Sequence, residues 1–219
     1  YIRQLEDTIS KFLRPLRDIP FPIAIKAISG YKVLTFDLNR DENKTLLQLL
    51  SKAAQKAGEK AFKEGIFTAQ PNEAGNHIEP FVTEALNDVG LKADKPISKK
   101  GKKKSAGYPD IEVEDNIGRT IYIDCKTYNT KTKNQSFRTF YFSPSVDPKI
   151  TKNAFHLLIS FELDIEERKG KRAFVPLSWQ IYTLDKLKVQ IKHEFNASNK
   201  DLYSPEALLS SGIIKGVNL

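Results

Sequence analysis

Two carboxylates and one amine lie close together in the chain, at Asp110, Asp124 and Lys126, within the sequence YPDIEVEDNIGRTIYIDCK. Carboxylate oxygens suit hard divalent cations such as Mg²⁺, which is usually held by one or two carboxylates together with water. A bound cation can generate a nucleophile from water at neutral pH and neutralise charge on phosphoryl oxygens. A neighbouring lysine can position that water and help deprotonate it, or stabilise developing charge. These residue types therefore suit metal-assisted hydrolysis of a phosphodiester.

A β-hairpin is predicted to bring the two carboxylates together. Residues 110–113 and 120–126 alternate apolar and polar side chains as strands do, and residues 116–118 between them supply turn chemistry. Asp110 stands at the start of the first strand, and Asp124 stands near the end of the second. Those two ends meet in an antiparallel pair, so both carboxylates can reach one divalent cation.

Lys126 and Cys125 complete this edge of the hairpin. Lys126 follows Asp124 by two positions, so their side chains share one face of the strand. Cys125 points to the opposite face, where a small apolar side chain fits a core, and its backbone carbonyl can still turn toward a cation. The hairpin thus offers two carboxylates and one carbonyl as metal ligands, with an amine beside them.

A helix is predicted just ahead of the hairpin, over residues 76–90. Its apolar residues fall on one face at helical spacing, namely Ile78, Phe81, Val82, Ala85, Leu86 and Val89. Asn76 is the expected N-cap, with Glu79 three residues later as in a capping box, and Gly90 is the expected end. The pattern indicates a helix with one buried face.

The segment resembles the PD-(D/E)XK nuclease superfamily, with Pro-Asp at 109–110 and Asp-Cys-Lys at 124–126 as the two halves of its motif. The tighter likeness is to type II restriction endonucleases, and it covers about residues 75–162. In those enzymes, a helix ahead of the hairpin carries an acidic residue that faces the metal site. The resemblance implies Glu79 for that residue, with Glu84 as the alternative on a different face of the helix.

The resemblance also implies roles for the site residues and a fold. Asp110, Asp124, the carbonyl of Cys125 and Glu79 would hold the metal, and Lys126 would orient the nucleophilic water. The implied cation is Mg²⁺, for which Mn²⁺ is expected to substitute. The implied fold is a restriction-endonuclease-like α/β (α+β) core with a mixed central β-sheet flanked by helices, in agreement with the predicted order of elements.

Two basic loops flank the predicted site, at residues 98–104 and 127–142. Lysines more often contact phosphates, whereas Asn, Gln and Arg can bind purine edges in the major groove. The expected DNA-contacting residues are Lys102, Lys103, Lys104, Tyr108, Lys131, Lys133, Asn134, Gln135 and Arg138. Ordinary solvated surface loops are the alternative interpretation of both segments.

Composition points to the same partner and excludes other classes of protein. The chain has 219 residues and a net charge of +8, which favours a polyanion such as nucleic acid. Its single cysteine rules out an intrachain disulfide and fits a reducing compartment, for which the resemblance implies the cytoplasm of a prokaryote. The histidines lack zinc spacing, no Gly-rich phosphate loop occurs, and no apolar run is long enough to cross a membrane.

Further elements are predicted along the rest of the chain: helices over residues 1–18 and 41–64, a hairpin over 19–38, strands over 154–163 and within 170–184, and a short helix from Ser204. Pro15 is expected to end or kink the first helix, and Gly65 to cap the second. The whole chain is expected to form a single nuclease domain, with residues 75–162 as its catalytic core. Residues 1–70 form a helical part that is a candidate for dimerisation or DNA contact.

The combined expectation is a type II restriction endonuclease that cleaves double-stranded DNA with Mg²⁺-activated water. The resemblance implies 5′-phosphate and 3′-hydroxyl ends, a homodimer on a palindromic site, and a partner methyltransferase for restriction-modification. Two alternatives stay open, a structure-specific or repair nuclease such as a junction resolvase, and a basic DNA-binding module without activity. Intact Asp110, Asp124 and Lys126 argue against the second alternative.

Overall fold

The computed structural model describes residues 1–13, 16–68, 73–129, 140–191, 198 and 206. Two compact units make up the chain, Tyr1–Arg17 with Gln190–Leu219, and Asp18–Val189. In the first unit, helix α1 (Ile2–Phe12) buries none of its side chains among the described residues. The second unit contains the central sheet and the predicted catalytic core, residues 75–162.

The described residues of the second unit contain three helices and eight strands. Along the chain they are β1 (Ile19–Pro20), α2 (Phe21–Ser29), β2 (Val33–Leu34), α3 (Asp41–Glu64), α4 (Ala74–Asp88), β3 (Lys92–Asp94), β4 (Ile111–Glu114), β5 (Thr120–Tyr128), β6 (Ala154–Arg168), β7 (Lys171–Thr183) and β8 (Lys188–Val189). None of the helices in the described part of the chain has the length and apolar character needed to cross a membrane.

Six strands form the central sheet in the order β2-β6-β5-β4-β3, and β7 pairs with β6 as well. Strand β6 runs parallel to β2 and to β5, with Asp124 opposite Leu158. The pairs β3–β4, β4–β5 and β6–β7 are antiparallel, and β1 and β8 form a separate antiparallel pair. The mixed central sheet that was predicted is therefore confirmed, as is the α/β (α+β) class.

Helices pack on the sheet through two hydrophobic clusters. Helices α3 and α4 share one cluster with Ile121, Ile123 and Cys125 of β5, whereas α2 shares the other with Tyr122. Alternate residues of β5 thus face opposite sides of the sheet, as strand geometry requires. Small residues on the buried side of α3 let it lie close to β6, where a Cβ added at Gly58 would meet Phe161 at 3.4 Å.

The turn between β4 and β5 is tied to the start of α3. Asp115 Oδ1 accepts hydrogen bonds from the backbone N–H groups of Ile117 and Arg119, at 3.1 and 2.8 Å. The Arg119 guanidinium donates to Asp115 Oδ2 at 2.7 Å and to Asn43 Oδ1 at 2.6 Å. Because this turn sets the pairing of β4 with β5, it also sets where the two ends of the hairpin meet.

Several predicted elements are confirmed closely. Helix α3 spans the predicted residues 41–64, and Gly65 follows it with φ +77° and an N–H that binds the Ala61 carbonyl at 2.8 Å. Strands β4 and β5 form the predicted antiparallel hairpin. The predicted strand at 154–163 is present within the longer β6, and β7 lies in the predicted 170–184 region.

The predicted hairpin over residues 19–38 is wrong, because its first half forms helix α2. Pro22 occupies the first turn of α2, where its missing N–H has no cost, and Gly30 ends the helix with φ +83°. Phe21 and Ile25, one helical turn apart, are fully buried. The alternation in IAIKAI fits a strand as well as a helix, so the flanking proline and glycine decide the outcome.

The prediction that Asn76 is the N-cap of helix α4 is also wrong. Helix α4 begins at Ala74, with Glu73 as the N-cap and no side-chain capping bond, so Asn76 lies inside the first turn. Burial of Ala74 and Ile78 on the same face extends the helix beyond the predicted start. Its end agrees with the prediction, since Gly90 follows it with φ +90°. The predicted break at Pro15 and the helix from Ser204 lie outside the described residues.

Candidate active site

Asp110, Asp124 and Lys126 meet at one end of the β4–β5 hairpin. The Asp110 N–H donates to the Ile123 carbonyl at 3.1 Å, which continues the strand pairing to the first carboxylate. Asp110 Oδ2 accepts the N–H of Cys125 at 2.8 Å. The ammonium of Lys126 lies 2.5 Å from Asp124 Oδ2, on the shared face of β5 that the spacing predicts.

Asp124 is a buried carboxylate in an unfavourable environment. Only 3% of the residue is exposed, and its Oδ2 accepts no well-oriented hydrogen bond despite its ion contact with Lys126. Burial, and then the charge of Asp110, raise the pKa of Asp124 to about 6, although Lys126 acts in the opposite direction. A second cation would relieve the repulsion between these two carboxylates.

Glu79 and Glu84 of α4 both line the cleft beside this group, but only Glu79 interacts with the charges of Asp110, Asp124 and Lys126. Burial, followed by the charge of Asp110, raises the pKa of Glu79 to about 7, with Lys126 lowering it and Asp124 raising it. Glu84 instead forms a 2.6 Å ion pair with Lys60 of α3. The structure therefore favours Glu79 over Glu84 as the third acidic residue.

Lys126 carries a raised pKa. Burial lowers the pKa of this amine, but the close contact with the Asp124 carboxylate outweighs burial, with a further contribution from the charge of Asp110. Lys126 Nζ also donates to the carbonyl of Cys125 at 3.3 Å. That carbonyl thus lies beside the site, as the hypothesis of a backbone metal ligand requires. A charged Lys126 suits orientation of a water and stabilisation of negative charge better than proton abstraction.

An open cleft of about 880 Å³ leads to these residues. Helix α4 contributes Glu79 and Thr83 to its lining, residues 105–108 contribute a second part, and Asp124 and Lys126 lie in it as well. The cleft therefore gives a substrate access to the end of the hairpin at which these residues lie.

The donor set of the cleft fits a hard divalent cation. Two aspartates and a backbone carbonyl offer only oxygen atoms, which Mg²⁺ prefers. The buried Oδ2 of Asp124 has the Lys126 ammonium at 2.5 Å but accepts no well-oriented hydrogen bond, so it has a lone pair available for a cation. No group of three or more His, Cys, Asp or Glu residues within the described ranges has the arrangement of a complete metal site. A cation held by Asp110, Asp124, the Cys125 carbonyl and water would need only two side chains of these types.

The predicted DNA contacts are located only in part. The ammonium of Lys103 pairs with Asp94, and that of Lys104 lies 2.6 Å from Asp147 Oδ2. Lys102 is exposed. Lys131, Lys133, Asn134, Gln135 and Arg138 lie outside the described residues, so their roles stay predictions.

Tyr108, which was also predicted to contact DNA, turns its hydroxyl inward. The hydroxyl shares a 2.6 Å hydrogen bond with Nδ1 of His156, and the ring contacts Phe21, Phe140 and Phe142. Burial lowers the pKa of His156 to about 3, so this imidazole is neutral. Tyr108 therefore packs the loop ahead of Asp110 against the core.

Sequence reasoning missed Lys149 beside the site. This lysine is 4% exposed, and its ammonium binds backbone carbonyls of the loop that precedes Asp110. Burial lowers the pKa of Lys149, against the charges of Asp110, Glu79 and Asp124. A basic residue in an irregular segment carries no signal that it is buried, because its partners are carbonyls far away along the chain.

Comparisons with known proteins support one assignment. A model of the Type II restriction enzyme MjaV family matches residues 15–206. The type II restriction enzyme MjaV of Methanocaldococcus jannaschii is 41% identical over 224 residues, covering 95% of each chain. A solved structure of the tetrameric restriction endonuclease SfiI bound to cognate DNA matches with a TM-score of 0.40 and 15% identity, over 68% of this chain and 66% of that chain. The predicted resemblance is confirmed by the first two matches, and the chain belongs to the MjaV family of type II restriction enzymes.

Proposed function

We propose that this restriction endonuclease hydrolyses double-stranded DNA in the cleft that holds Asp110, Asp124 and Lys126, with Mg²⁺ as its cofactor. The observation that carries the proposal is the meeting of two carboxylates from neighbouring strand ends, one of them with a buried oxygen that accepts no well-oriented hydrogen bond. The assignment of each residue to a role rests on this geometry and on the family resemblance.

Asp110 and Asp124 would hold the cation, with the Cys125 carbonyl. Asp110 uses Oδ2 to accept the N–H of Cys125, which leaves its other oxygen for a ligand. This bond also orients the peptide group between Asp124 and Cys125. When bound, the cation supplies an activated water and neutralises charge on the phosphoryl oxygens.

Lys126 and Glu79 would act on the water and the phosphate. The ammonium of Lys126, held by Asp124, can donate hydrogen bonds to a water or to a phosphoryl oxygen. Glu79 has a pKa of about 7, so its carboxyl can accept or release a proton near neutral pH. It would support the site directly or through a water.

Attack of the water on phosphorus with loss of the 3′ oxygen would leave 5′-phosphate and 3′-hydroxyl ends. A homodimer would place two such sites on the two strands of a palindromic sequence, because a two-fold protein matches a two-fold DNA site. We also expect Mn²⁺ to substitute for Mg²⁺ and expect the protein to act in the prokaryotic cytoplasm beside a partner methyltransferase.

The test is plasmid cleavage by Asp124→Asn, with Glu112→Gln as the matched control. Glu112 lies on β4 beside the site but pairs with Lys152 at 2.8 Å instead of facing the cleft. Asp124→Asn should lose more than the roughly 10–100-fold in rate that is typical of residues supporting a metal ligand. Glu112→Gln should cleave within about twofold of the wild-type rate. Cleavage by Asp124→Asn at the wild-type rate would overturn the assignment of the site.

A further inference from the structure

We propose that Lys149 is a positioning residue of the nuclease, which holds the loop at residues 105–109 so that Asp110 stands in the metal site. This inference rests on the proposed role of Asp110. Lys149 lies outside the motif and far along the chain from α4, β5 and the residue before β4, which carry the other site residues.

The ammonium of Lys149 is saturated by backbone oxygens of this loop. Its Nζ donates to the carbonyls of Ser105 at 3.3 Å, Gly107, and Pro109 at 2.5 Å. An ammonium has three N–H donors, so three acceptors leave none for a substrate. Lys149 is also only 4% exposed. It therefore acts on the loop and does not contact the scissile phosphate.

The contact with Pro109 lies one peptide group from the first metal ligand. The carbonyl of Pro109 and the N–H of Asp110 belong to the same planar peptide unit. Lys149 binds the oxygen of this unit, and the Ile123 carbonyl accepts its N–H at 3.1 Å. The peptide unit is thus held from both ends, which fixes the direction in which the Asp110 side chain leaves the backbone.

The residues beside Lys149 bind the chain just ahead of this loop, at residues 99 and 100. Asp147 Oδ1 accepts the N–H of Lys100 at 2.9 Å, and the Pro148 carbonyl accepts the N–H of Lys99 at 3.0 Å. Residues 147–149, here called the anchor segment, therefore bind this loop and the residues ahead of it at several points between residues 99 and 109. Lys149 provides the contact closest to the site.

The buried charge of Lys149 separates two explanations of its role. The groups that face it are the carboxylates of Asp110, Glu79 and Asp124, and the ammonium of Lys104. If Lys149 acted only through its charge, its removal would strengthen cation binding, because a positive charge near a cation site repels the cation. If Lys149 positions Asp110, its removal weakens cation binding, since one ligand is no longer fixed.

The experiment compares Lys149→Met with Lys152→Met in the full chain. Lys152 lies three residues away and pairs with Glu112 at the surface, so its substitution removes the same charge without touching the loop. Mn²⁺ affinity is measured by calorimetry, and cleavage is measured under single-turnover conditions on a plasmid that the wild-type protein cuts. Binding of the same DNA in Ca²⁺ is measured as a separate readout.

We expect Lys149→Met to weaken Mn²⁺ binding and slow cleavage, each by roughly 10–100-fold, with DNA affinity within about threefold of wild type. Lys152→Met should match wild type in all three. Mn²⁺ binding by Lys149→Met that equals or exceeds the wild-type affinity would overturn the proposal. A wild-type protein that bound no Mn²⁺ would instead remove the proposed metal site, and the role of Lys149 with it.

Lys149→Arg keeps the test decisive if the Met variant does not fold. Arginine retains the charge, but its planar fork cannot reproduce three donors at one nitrogen. We expect Mn²⁺ affinity and cleavage rate to fall by about tenfold, less than in the Met variant. Wild-type values of both in Lys149→Arg, with the Met variant unfolded, would show that the three contacts of the ammonium are not needed to place Asp110 and would overturn the positioning role.

Discussion

The cleft carboxylates and the anchor segment are neighbouring groups of charged residues that differ in how their charges are compensated. In the cleft, burial and mutual repulsion raise the pKa of Glu79 to about 7 and that of Asp124 to about 6. In the anchor segment, a hydrogen bond from Lys104 lowers the pKa of Asp147 to about 2. The cleft therefore keeps charges that the fold does not compensate, and the anchor segment compensates its own.

This difference indicates what each region is for. Carboxylates that repel one another in the folded chain favour a bound cation, which can relieve them. Charges that are already matched by N–H groups, carbonyls and each other favour a fixed conformation instead. If the cleft is the active site as proposed, the anchor segment would hold its groups rigidly. Four predictions test the contrast, beginning with the largest effect.

Removal of the buried Asp124 carboxylate should stabilise the protein while it abolishes cleavage. The folded-state pKa of Asp124, about 6, lies above its ordinary value of 3.8, so its contribution to stability is fully present below pH 4 and is lost as pH rises through 6. At pH 8 in EDTA, Asp124→Asn should raise the free energy of unfolding by roughly 2 kcal/mol and Tm by roughly 5 °C. Urea and thermal unfolding measure both quantities.

The stability advantage of Asp124→Asn over wild type should shrink as the pH is lowered toward 4, because the wild-type Asp124 carboxyl is then protonated and uncharged. Glu79→Gln should behave similarly, with its window between 4.5 and about 7. A lower stability of Asp124→Asn than of wild type at pH 8 would contradict the view that the cleft charges are uncompensated.

Addition of a divalent cation should stabilise the wild-type protein more than the variant. At ten times its dissociation constant, Ca²⁺ or Mg²⁺ should raise the free energy of unfolding by about 1.4 kcal/mol, because only the folded site binds it. Asp124→Asn should show little of this increase, whereas Glu112→Gln should show all of it. Thermal unfolding across a cation titration makes the comparison, and equal shifts in all three proteins would argue against a cation site at Asp124.

Asp147→Asn should lower the Tm, whereas Asp124→Asn should raise it. The change should be smaller for Asp147→Asn because Lys104, the partner of Asp147, is partly open to solvent. The pKa of Asp147 lies below its ordinary value of 3.8, so its contribution to stability is present above pH 4 and is lost as pH falls toward 2. The variant should have a lower Tm than wild type at pH 7 and a similar Tm near pH 2. Asp164→Asn, which removes an exposed carboxylate on β6, is the control and should leave Tm unchanged.

The smallest effect on cleavage is expected from substitution of Glu84. Comparison with Glu79 tests which of the two glutamates acts beside Asp110 and Asp124. Glu84 pairs with Lys60 near the surface, and such pairs add little to stability. Glu79→Gln should slow plasmid cleavage by about tenfold or more, whereas Glu84→Gln should slow it by less than about twofold. The reverse order of rates would transfer the role to Glu84.

The meeting of Asp110, Asp124 and Lys126 was predictable because these residues are close in sequence and lie on or next to regular strands. Alternation on both sides of a turn at residues 116–118 located the hairpin, and strand geometry then placed Asp124 and Lys126 on one face. Helix α2 was not predicted because its apolar pattern fits both the two-residue repeat of a strand and the 3.6-residue repeat of a helix. Lys149 could not have been found, because its acceptors are backbone carbonyls about forty positions earlier, and a carbonyl leaves no mark in a sequence.

The parallel pairing of β5 with β6 has a consequence for how such an enzyme can diversify. Parallel neighbours need a crossover that returns the chain to the same end of the sheet, and here it spans residues 129–153. One end of the crossover leaves the strand of Asp124 and Lys126, and the other contains the anchor segment. If residues 131–138 contact DNA as the sequence predicts, changes there would alter the recognised sequence while the two ends of the crossover, and with them the candidate active site, stay the same.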